Sequence, residues 1–425
     1  MIFLGKSSTM RSSSKIWNFF HRKLGDKIQL QSISTSIRNV MSGDEKDTDS
    51  KDDNLRDRSV GDLLNESTSQ PFSETRVDEY PSDISDSLAE YNKWRRVQGN
   101  HAFRPRVDPR QTSIFLFPGQ GSQFVGMGRK LLPYPNVRDM YDAASNILGY
   151  DLLSLCLNGP KEDLMKTAYC QPAMFVTSLA AVEKLKEESP KEVENCIATA
   201  GFSVGEYAAL VFAGAMSFED ALEVVKLRAQ RMQEVSELLP SGMMTVFCSP
   251  ETRLGLACKA AQEYCVKKLF IAEPVCRIAN YLYSSCKVIA GNAEALQFIE
   301  THAKEFGIKR VKHLPVSGAF HTEIMRSVAE DIGDILHRME IQHPMISVHS
   351  NVTSKRYSTS KSIVLNLKRQ VYKPVLWEQT LHVMYSRDQG MEFPNTWEMG
   401  PGQQLGTLLR VVNKKAHAHY NCVEV

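Results

Sequence analysis

Residues 196–213 read CIATAGFSVGEYAALVFA: an apolar run, then Gly201-Phe202-Ser203-Val204-Gly205, then a stretch of small residues. The run before the glycines predicts a buried strand, the glycines a sharp turn and the following residues a helix. A buried strand feeding straight into a helix fits an α/β class built on a parallel sheet. The same five residues have the G-x-S-x-G spacing of a nucleophile elbow. There the glycines let the backbone turn without side-chain clashes, and Ser203 projects its hydroxyl at the helix N-terminus. The next N–H, from Val204, points toward a developing oxyanion, and the helix dipole favours that charge. The plainer alternative is a small residue in a tight structural loop.

Other segments repeat the α/β pattern. Ile114–Phe117 is an apolar run that breaks into PGQGSQFVGMG, a strand followed by a Gly-rich loop; helical patterns follow at 136–148, 162–168 and 172–187. From 243 to 314 the order changes. MMTVFC (243–248) reads as a strand, 251–268 as a helix, VCRIANY and CKVIAG as two strands joined by a short turn. NAEALQFIETHAKEFG reads as a helix ended by Gly307, and IKRVKHL as a strand. This βαββαβ order is that of a ferredoxin-like unit. The expected fold class is therefore a hydrolase-like α/β domain with a parallel sheet, over 109–238 and 315–425, carrying an inserted ferredoxin-like subdomain at 239–314. MISVHSNV, a helix near 374–386 and TWEMGPG with a final helix complete the large domain.

A serine nucleophile needs a base. Of eleven histidines, His302 and His337 fall in amphipathic helices and read as surface residues. His321 lies in LPVSGAFHTEIM, where a Pro/Gly segment opens into a helix, a loop position suited to displaying a functional group. A capping or core histidine is the competing reading. A hydrolase triad would place an acid between Ser203 and His321 in sequence. The only aspartate there, Asp220, has capping-box spacing from Ser217 and so a structural job. A neutral acceptor, such as a backbone carbonyl, is left to orient His321. A Ser–His pair suffices when the leaving group is a thiol, whose pKa of ~8.5 makes it easy to expel.

In the helix FEDALEVVKLRAQRMQEVSELL, Arg231 has Glu234 at i+3, an ordinary surface pairing. Arg228 has Val224, Val225, Arg231 and Met232 around it and no local carboxylate. Two readings stand: an arginine lying along apolar surface, or a fork for an external carboxylate.

Together these residues resemble the malonyl-CoA:acyl carrier protein transacylases, specifically their mitochondrial form. The resemblance runs from about Ser113 to about Leu409. It rests on FPGQGSQFVGMG, GFSVGEYAALVFAGA, LRAQRMQ, VSGAFH, RQVYKPVLW and GPGQQL, in that order. It implies that Ser203 accepts the acyl group, with His321 as its base. It further implies that Arg228 holds the free malonyl carboxylate and that Gln120 supplies a second oxyanion N–H beside Val204. Gln370 matches the position whose backbone carbonyl holds the histidine. Malonyl-CoA and mitochondrial acyl carrier protein are the implied partners, with no metal or redox cofactor. One departure stands out: Phe202 occupies a position where many members carry histidine. Phe320 matches members that prefer malonyl to branched units.

The remaining sequence bears on location and partners. Residues 1–43 hold seven Lys/Arg and one acidic residue, are Ser-rich and place Ile16, Trp17, Phe19 and Phe20 among the cations. That is transit-peptide composition, with no secretory apolar core, and it predicts delivery to the mitochondrial matrix. Residues 44–90 hold fifteen Asp/Glu and five Lys/Arg with few large apolar groups, which predicts a disordered linker within a 44–108 lead-in. A short helix is expected around Asp86–Arg96. The formal net charge of +2 is too small to argue for nucleic acid. No uninterrupted apolar run reaches the ~18 residues of a membrane span. Nine scattered cysteines without a C-x-x-C pair fit a reducing compartment rather than zinc or disulfides. A monomer is expected.

Overall fold

The computed structural model describes residues 108–425 except Ser317 and Gln389. The expected transit segment over 1–43, the acidic linker after it and the helix around Asp86–Arg96 lie outside the described residues.

The first half of the described chain runs β1 (Ser113–Phe117), α1 (Val137–Leu148), α2 (Thr167–Glu188), β2 (Cys196–Gly201), α3 (Gly205–Phe212) and α4 (Phe218–Leu238). There follow β3 (Ser241–Cys248), α5 (Leu254–Leu269), β4 (Cys276–Tyr283), β5 (Cys286–Asn292), α6 (Ala293–Thr301) and β6 (Ile308–His313). The last part holds α7 (Arg326–Leu336), β7 (Ser347–His349), α8 (Ser360–Gln370), β8 (Val375–Leu376), α9 (Trp377–Met384), β9 (Asn395–Glu398), α10 (Gln404–Val412) and β10 (Tyr420–Cys422). Shorter helical turns connect some of these.

Two sheets organise the molecule. The first has the order β10-β9-β1-β2-β7, and every pair in it is parallel. All five residues of β1 are buried, as expected for a central parallel strand covered by helices on both faces. One covering layer contains α2, whose Phe175 meets Phe218 of α4; the opposite layer packs Ile114, Leu116 and Ala200 against Trp377 and Leu381 of α9 and Leu405 of α10.

The second sheet has the order β6-β3-β5-β4-β8. Its first four strands pair antiparallel in the ferredoxin-like order, with α5 and α6 closing a separate core of Met244, Val246, Leu254, Ile289, Leu296 and Phe298. The fold class read from the sequence is thus the one observed. The fifth strand was not expected. Val375 and Leu376, which come from beyond β7, pair in parallel with Asn280 and Tyr281 of β4.

Other elements differ at their ends. The helix expected through Gly307 stops at Thr301, because Phe306 must fold back into the small core, where it meets Phe298 with ring centroids 6.4 Å apart. Gly307 takes φ +70°, which permits the reversal into β6. The helix expected over 374–386 is shortened because β8 takes its first residues. Helix α8, opened by a Thr359–Ser362 capping box, and strand β10 had no counterpart in the sequence reading. Ser217 does cap α4, accepting from the Asp220 N–H at 3.0 Å. Arg231 does pair with Glu234, and also with Asp331. Lys309, Arg310 and Lys312 lie exposed on the edge strand β6, with Arg310 over the Phe247 ring. No helix among the described residues is long and apolar enough to cross a membrane.

Candidate active site

The glycines around Ser203 are demanded by packing. A Cβ on Gly201 would lie 1.9 Å from the Gly205 backbone, and one on Gly205 would lie 2.3 Å from the Phe117 carbonyl oxygen. Strand β2 therefore turns into α3 with no room for side chains on either flank. Between them Ser203 adopts φ +53°, a left-handed conformation that a non-glycine residue keeps only when its surroundings hold it there. One such support is Asn351, just after β7. Its Oδ1 accepts from the Ser203 N–H at 2.7 Å, and its Nδ2 donates to the Gly201 carbonyl at 2.6 Å.

Two side chains converge on the Ser203 hydroxyl. His321 Nε2 lies 3.0 Å from Oγ, and Arg228 Nη2 donates to Oγ at 2.9 Å. His321 is itself at φ +61°, its N–H donates to the Val371 carbonyl, and its Nδ1 lies 2.7 Å from the Gln370 carbonyl oxygen. A carbonyl only accepts, so Nδ1 carries the proton and Nε2 is left as the acceptor facing Ser203. Burial, and then the Arg228 charge, push the imidazole pKa down to about 4. The ring is therefore neutral at physiological pH and ready to take a proton.

Arg228 is fully buried. Its hydrogen-bond partners are neutral oxygens: Ser203 Oγ, Gln171 Oε1 at 2.5 Å and Gln370 Oε1 at 3.0 Å. Its Nε has no partner among the described residues, and its guanidinium carbon sits 5.7 Å from the centre of the Tyr207 ring. Burial lowers its pKa, opposed by the nearby Tyr207 and Glu206. A buried guanidinium satisfied only by neutral groups can still gain from an anion.

Gln120 lies in the loop after β1. At Gly119 that loop approaches the elbow so closely that a Cβ would be 2.5 Å from the Phe202 carbonyl oxygen. The Gln120 side chain donates to Thr167 Oγ1 at 3.2 Å, so it is turned aside while its backbone remains in the loop beside the elbow. Val204 caps α3 and is buried. Phe202 packs edge-on against Trp377 with ring centroids 5.3 Å apart. The structure thus brings Ser203, His321, Arg228 and Gln370 into one hydrogen-bonded cluster, with Gln120 and Val204 on the two backbone segments flanking it.

Four further residues, absent from the sequence reading, complete the surroundings: Asn351, Gln171, Glu206 and Tyr357. Glu206, in the first turn of α3, is fully buried. It accepts from Tyr357 Oη at 2.6 Å, the Asn351 N–H at 3.2 Å and Gln370 Nε2 at 2.5 Å. The only local hint of its presence was a charged residue inside an otherwise small and apolar helix. Among the described residues no group of three or more His, Cys, Asp or Glu is placed to hold a metal ion.

Residues 114–390 match the acyl transferase domain family. The mitochondrial malonyl-CoA-acyl carrier protein transacylase of Mus musculus is 52% identical over 320 residues, covering 75% of this chain and 84% of that protein. The malonyl CoA-acyl carrier protein transacylase of Escherichia coli K12 is 36% identical, covering 70% and 92%. Among solved structures, that of the Coxiella burnetii malonyl CoA-acyl carrier protein transacylase aligns with a TM-score of 0.66 at 31% identity, covering 75% of this chain and 95% of its own. A malonyl-transacylase solved in complex with a type II PKS acyl-carrier protein aligns with a TM-score of 0.63 at 31% identity, covering 74% and 96%.

Proposed function

The chain belongs to the malonyl-CoA-acyl carrier protein transacylase family, and from that premise we infer that it moves a malonyl group from malonyl-CoA to the thiol of an acyl carrier protein through a malonyl-Ser203 intermediate. The observation that carries this reading is the double contact on Ser203 Oγ, with His321 Nε2 at 3.0 Å and Arg228 Nη2 at 2.9 Å. A base touching the nucleophile serves any acyl transfer. A guanidinium touching the same atom favours an acyl group whose own carboxylate lies one methylene from the reacting carbonyl, which describes malonyl.

In the proposed course, malonyl-CoA enters with its carboxylate on Arg228. His321 Nε2 takes the Ser203 proton as Oγ attacks the thioester carbonyl. The Val204 and Gln120 N–H groups stabilise the oxyanion, each such donor contributing ~3 kcal/mol. The carbonyl re-forms, the C–S bond breaks, and the proton on His321 passes to the departing CoA sulfur. The Gln370 carbonyl keeps the imidazole in the productive tautomer throughout. The phosphopantetheine thiol of the carrier protein then gives its proton to His321, attacks malonyl-Ser203 and leaves as the malonyl thioester, with Ser203 reprotonated. These ping-pong steps draw on no metal or redox cofactor.

Arg228 supplies selectivity. Acetyl-CoA would leave the buried guanidinium without its anion, and loss of a required polar partner can discriminate strongly. Arg228→Ala is expected to reduce malonyl transfer and to narrow the preference over acetyl-CoA.

Mitochondrial relatives in mouse, human and Drosophila, and the basic leader over residues 1–43, support a mitochondrial location. We place the protein in the matrix, as a monomer serving mitochondrial fatty acid synthesis with mitochondrial acyl carrier protein. We also assign the acyltransferase domain to 109–238 and 315–425 and the ferredoxin-like subdomain to 239–314.

Intact-protein mass spectrometry after mixing with malonyl-CoA tests the reading. A malonyl adduct on the wild type, absent from Ser203→Ala and discharged by acyl carrier protein, is expected. Steady release of CoA with no adduct would point instead to hydrolysis.

A further inference from the structure

We propose that Glu206 is a positioning residue: its carboxylate fixes which way the Gln370 side-chain amide points, and through that amide it holds Arg228 ready for the substrate carboxylate. The inference rests on the role given above to Arg228. Glu206 touches neither Ser203 Oγ nor His321, yet every oxygen it presents is occupied by a donor. Oε1 accepts from Tyr357 Oη and from the Asn351 backbone N–H, and Oε2 accepts from Gln370 Nε2. Gln370 Nε2 also donates to the Ser203 carbonyl at 2.9 Å, so both of its hydrogens are directed at oxygens. Its Oε1 is thereby left to face Arg228 Nη2.

The polarity of this chain is fixed at both ends. Arg228 can only donate, and an ionised Glu206 can only accept. Gln370 lies between them with its amide nitrogen toward the carboxylate and its oxygen toward the guanidinium. The same residue's backbone carbonyl meets His321. One buried carboxylate therefore stands behind the fork for the substrate, two hydrogen bonds away. Burial pushes the Glu206 pKa up to about 7, while the hydrogen bonds from Tyr357, Gln370 and Asn351 and the Arg228 charge favour the ionised form.

Glu206→Gln keeps the shape and removes the polarity. The Asn351 N–H and Tyr357 hydroxyl would retain the new amide oxygen, turning its NH2 toward the NH2 of Gln370. Two donors then face each other. If Gln370 flips in response, its NH2 meets Arg228, which is also a donor. Either arrangement displaces the guanidinium. Acyl groups without a carboxylate lose only the Arg228 contact to Ser203 Oγ, not a charge pairing, and are affected far less.

The test compares single-turnover acylation of Ser203 by malonyl-CoA and by acetyl-CoA in the wild type, Glu206→Gln, Glu206→Asp and Arg228→Ala. Glu206→Gln is expected to lose about 100-fold with malonyl-CoA but less than about threefold with acetyl-CoA, a selective loss in the range for a misplaced charged hydrogen bond. Glu206→Asp, which keeps the carboxylate, is expected to recover part of the loss. An equal loss with both thioesters in a folded Glu206→Gln protein, or no loss, would overturn the proposal. Should that variant fail to fold, the wild type carries the same test through pH, because a protonated Glu206 loses the same polarity. Malonyl acylation that falls below pH 7 while acetyl acylation holds supports the proposal, and profiles that fall together or do not fall overturn it. Unaltered malonyl preference in Arg228→Ala overturns the reading of Arg228 itself and the proposal with it, an outcome distinct from failure at Glu206 alone.

Discussion

The parallel sheet and the antiparallel sheet treat polar groups in opposite ways. At the carboxyl ends of β1, β2 and β7 the parallel sheet gathers buried Glu206, Arg228, His321, Asn351 and Gln370, and two left-handed residues, Ser203 and His321. The four antiparallel strands close over an apolar core, with Lys309, Arg310 and Lys312 on the exposed edge strand β6, Arg277 exposed on β4 and Lys287 buried on β5. Crevices at the carboxyl ends of parallel strands are where α/β proteins place their ligands. Packing alone accounts for the four antiparallel strands, which place Met244, Val246 and Ile289 in the small core and Met243, Ala279, Val288 and Ala290 in the large one. Chemistry and plain packing are thus divided between two regions of one chain, and each should answer differently to substitution.

The largest expected effect is on chemistry. His321→Ala should slow acylation of Ser203 by about 10³-fold, within the usual range for loss of a general base. Stopped-flow release of CoA would measure it, and the variant should remain folded by circular dichroism. If it unfolded instead, the supposed division of labour would fail at its central residue. In the small core the expectation reverses. Ile289→Ala, at a fully buried position, should destabilise the protein by about 2–5 kcal/mol while leaving the acylation rate of the folded fraction near the wild-type value. Urea titration with parallel activity measurements checks this, and a slowed rate in the folded fraction would show that the small sheet reaches further into the chemistry.

The smallest effect is the response to pH. Glu206 faces Arg228 from α4, Tyr207 on its own helix and Tyr357 from the loop before α8, with His321 beyond Gln370. Its pKa, raised by burial to about 7, means that it gains a proton as pH falls through that value, whereas His321 stays neutral until about 4. Malonyl acylation should therefore fall by about tenfold per pH unit below pH 7, the limit for loss of one required ionised group. The same limb should vanish in Glu206→Gln. A wild-type profile flat from pH 8 to pH 5 would place the carboxylate outside the working machinery.

The sequence was most legible where backbone geometry constrains residue type. Gly201 and Gly205 announce the elbow because close backbone contacts exclude a side chain at either position. The βαββαβ order was legible because each of its apolar strand runs and helical patterns is local in sequence. Strand β8 was not: two residues carry no period, and Val375 pairs with a strand nearly a hundred residues earlier. The network behind the nucleophile was hidden for a similar reason. Glu206 meets Asn351 and Tyr357 only after the chain has crossed both sheets, and an isolated Glu or Asn in sequence has no spacing that betrays its partner. His321 stood out by its Pro/Gly setting, while its Gln370 carbonyl partner came from resemblance.

The short strand β8 also bears on how freely the small sheet could be exchanged among proteins. Val375 and Leu376 hydrogen-bond to β4, and the next residue, Trp377, abuts Phe202 beside the nucleophile. Cutting out β3–β6 would not release a self-contained cassette. It would strip the β-partner from Val375–Leu376 and loosen the aromatic wall against which the elbow rests. Grafting that unit from a relative would have to preserve the register at Asn280 and Tyr281, or the graft would be felt at Ser203.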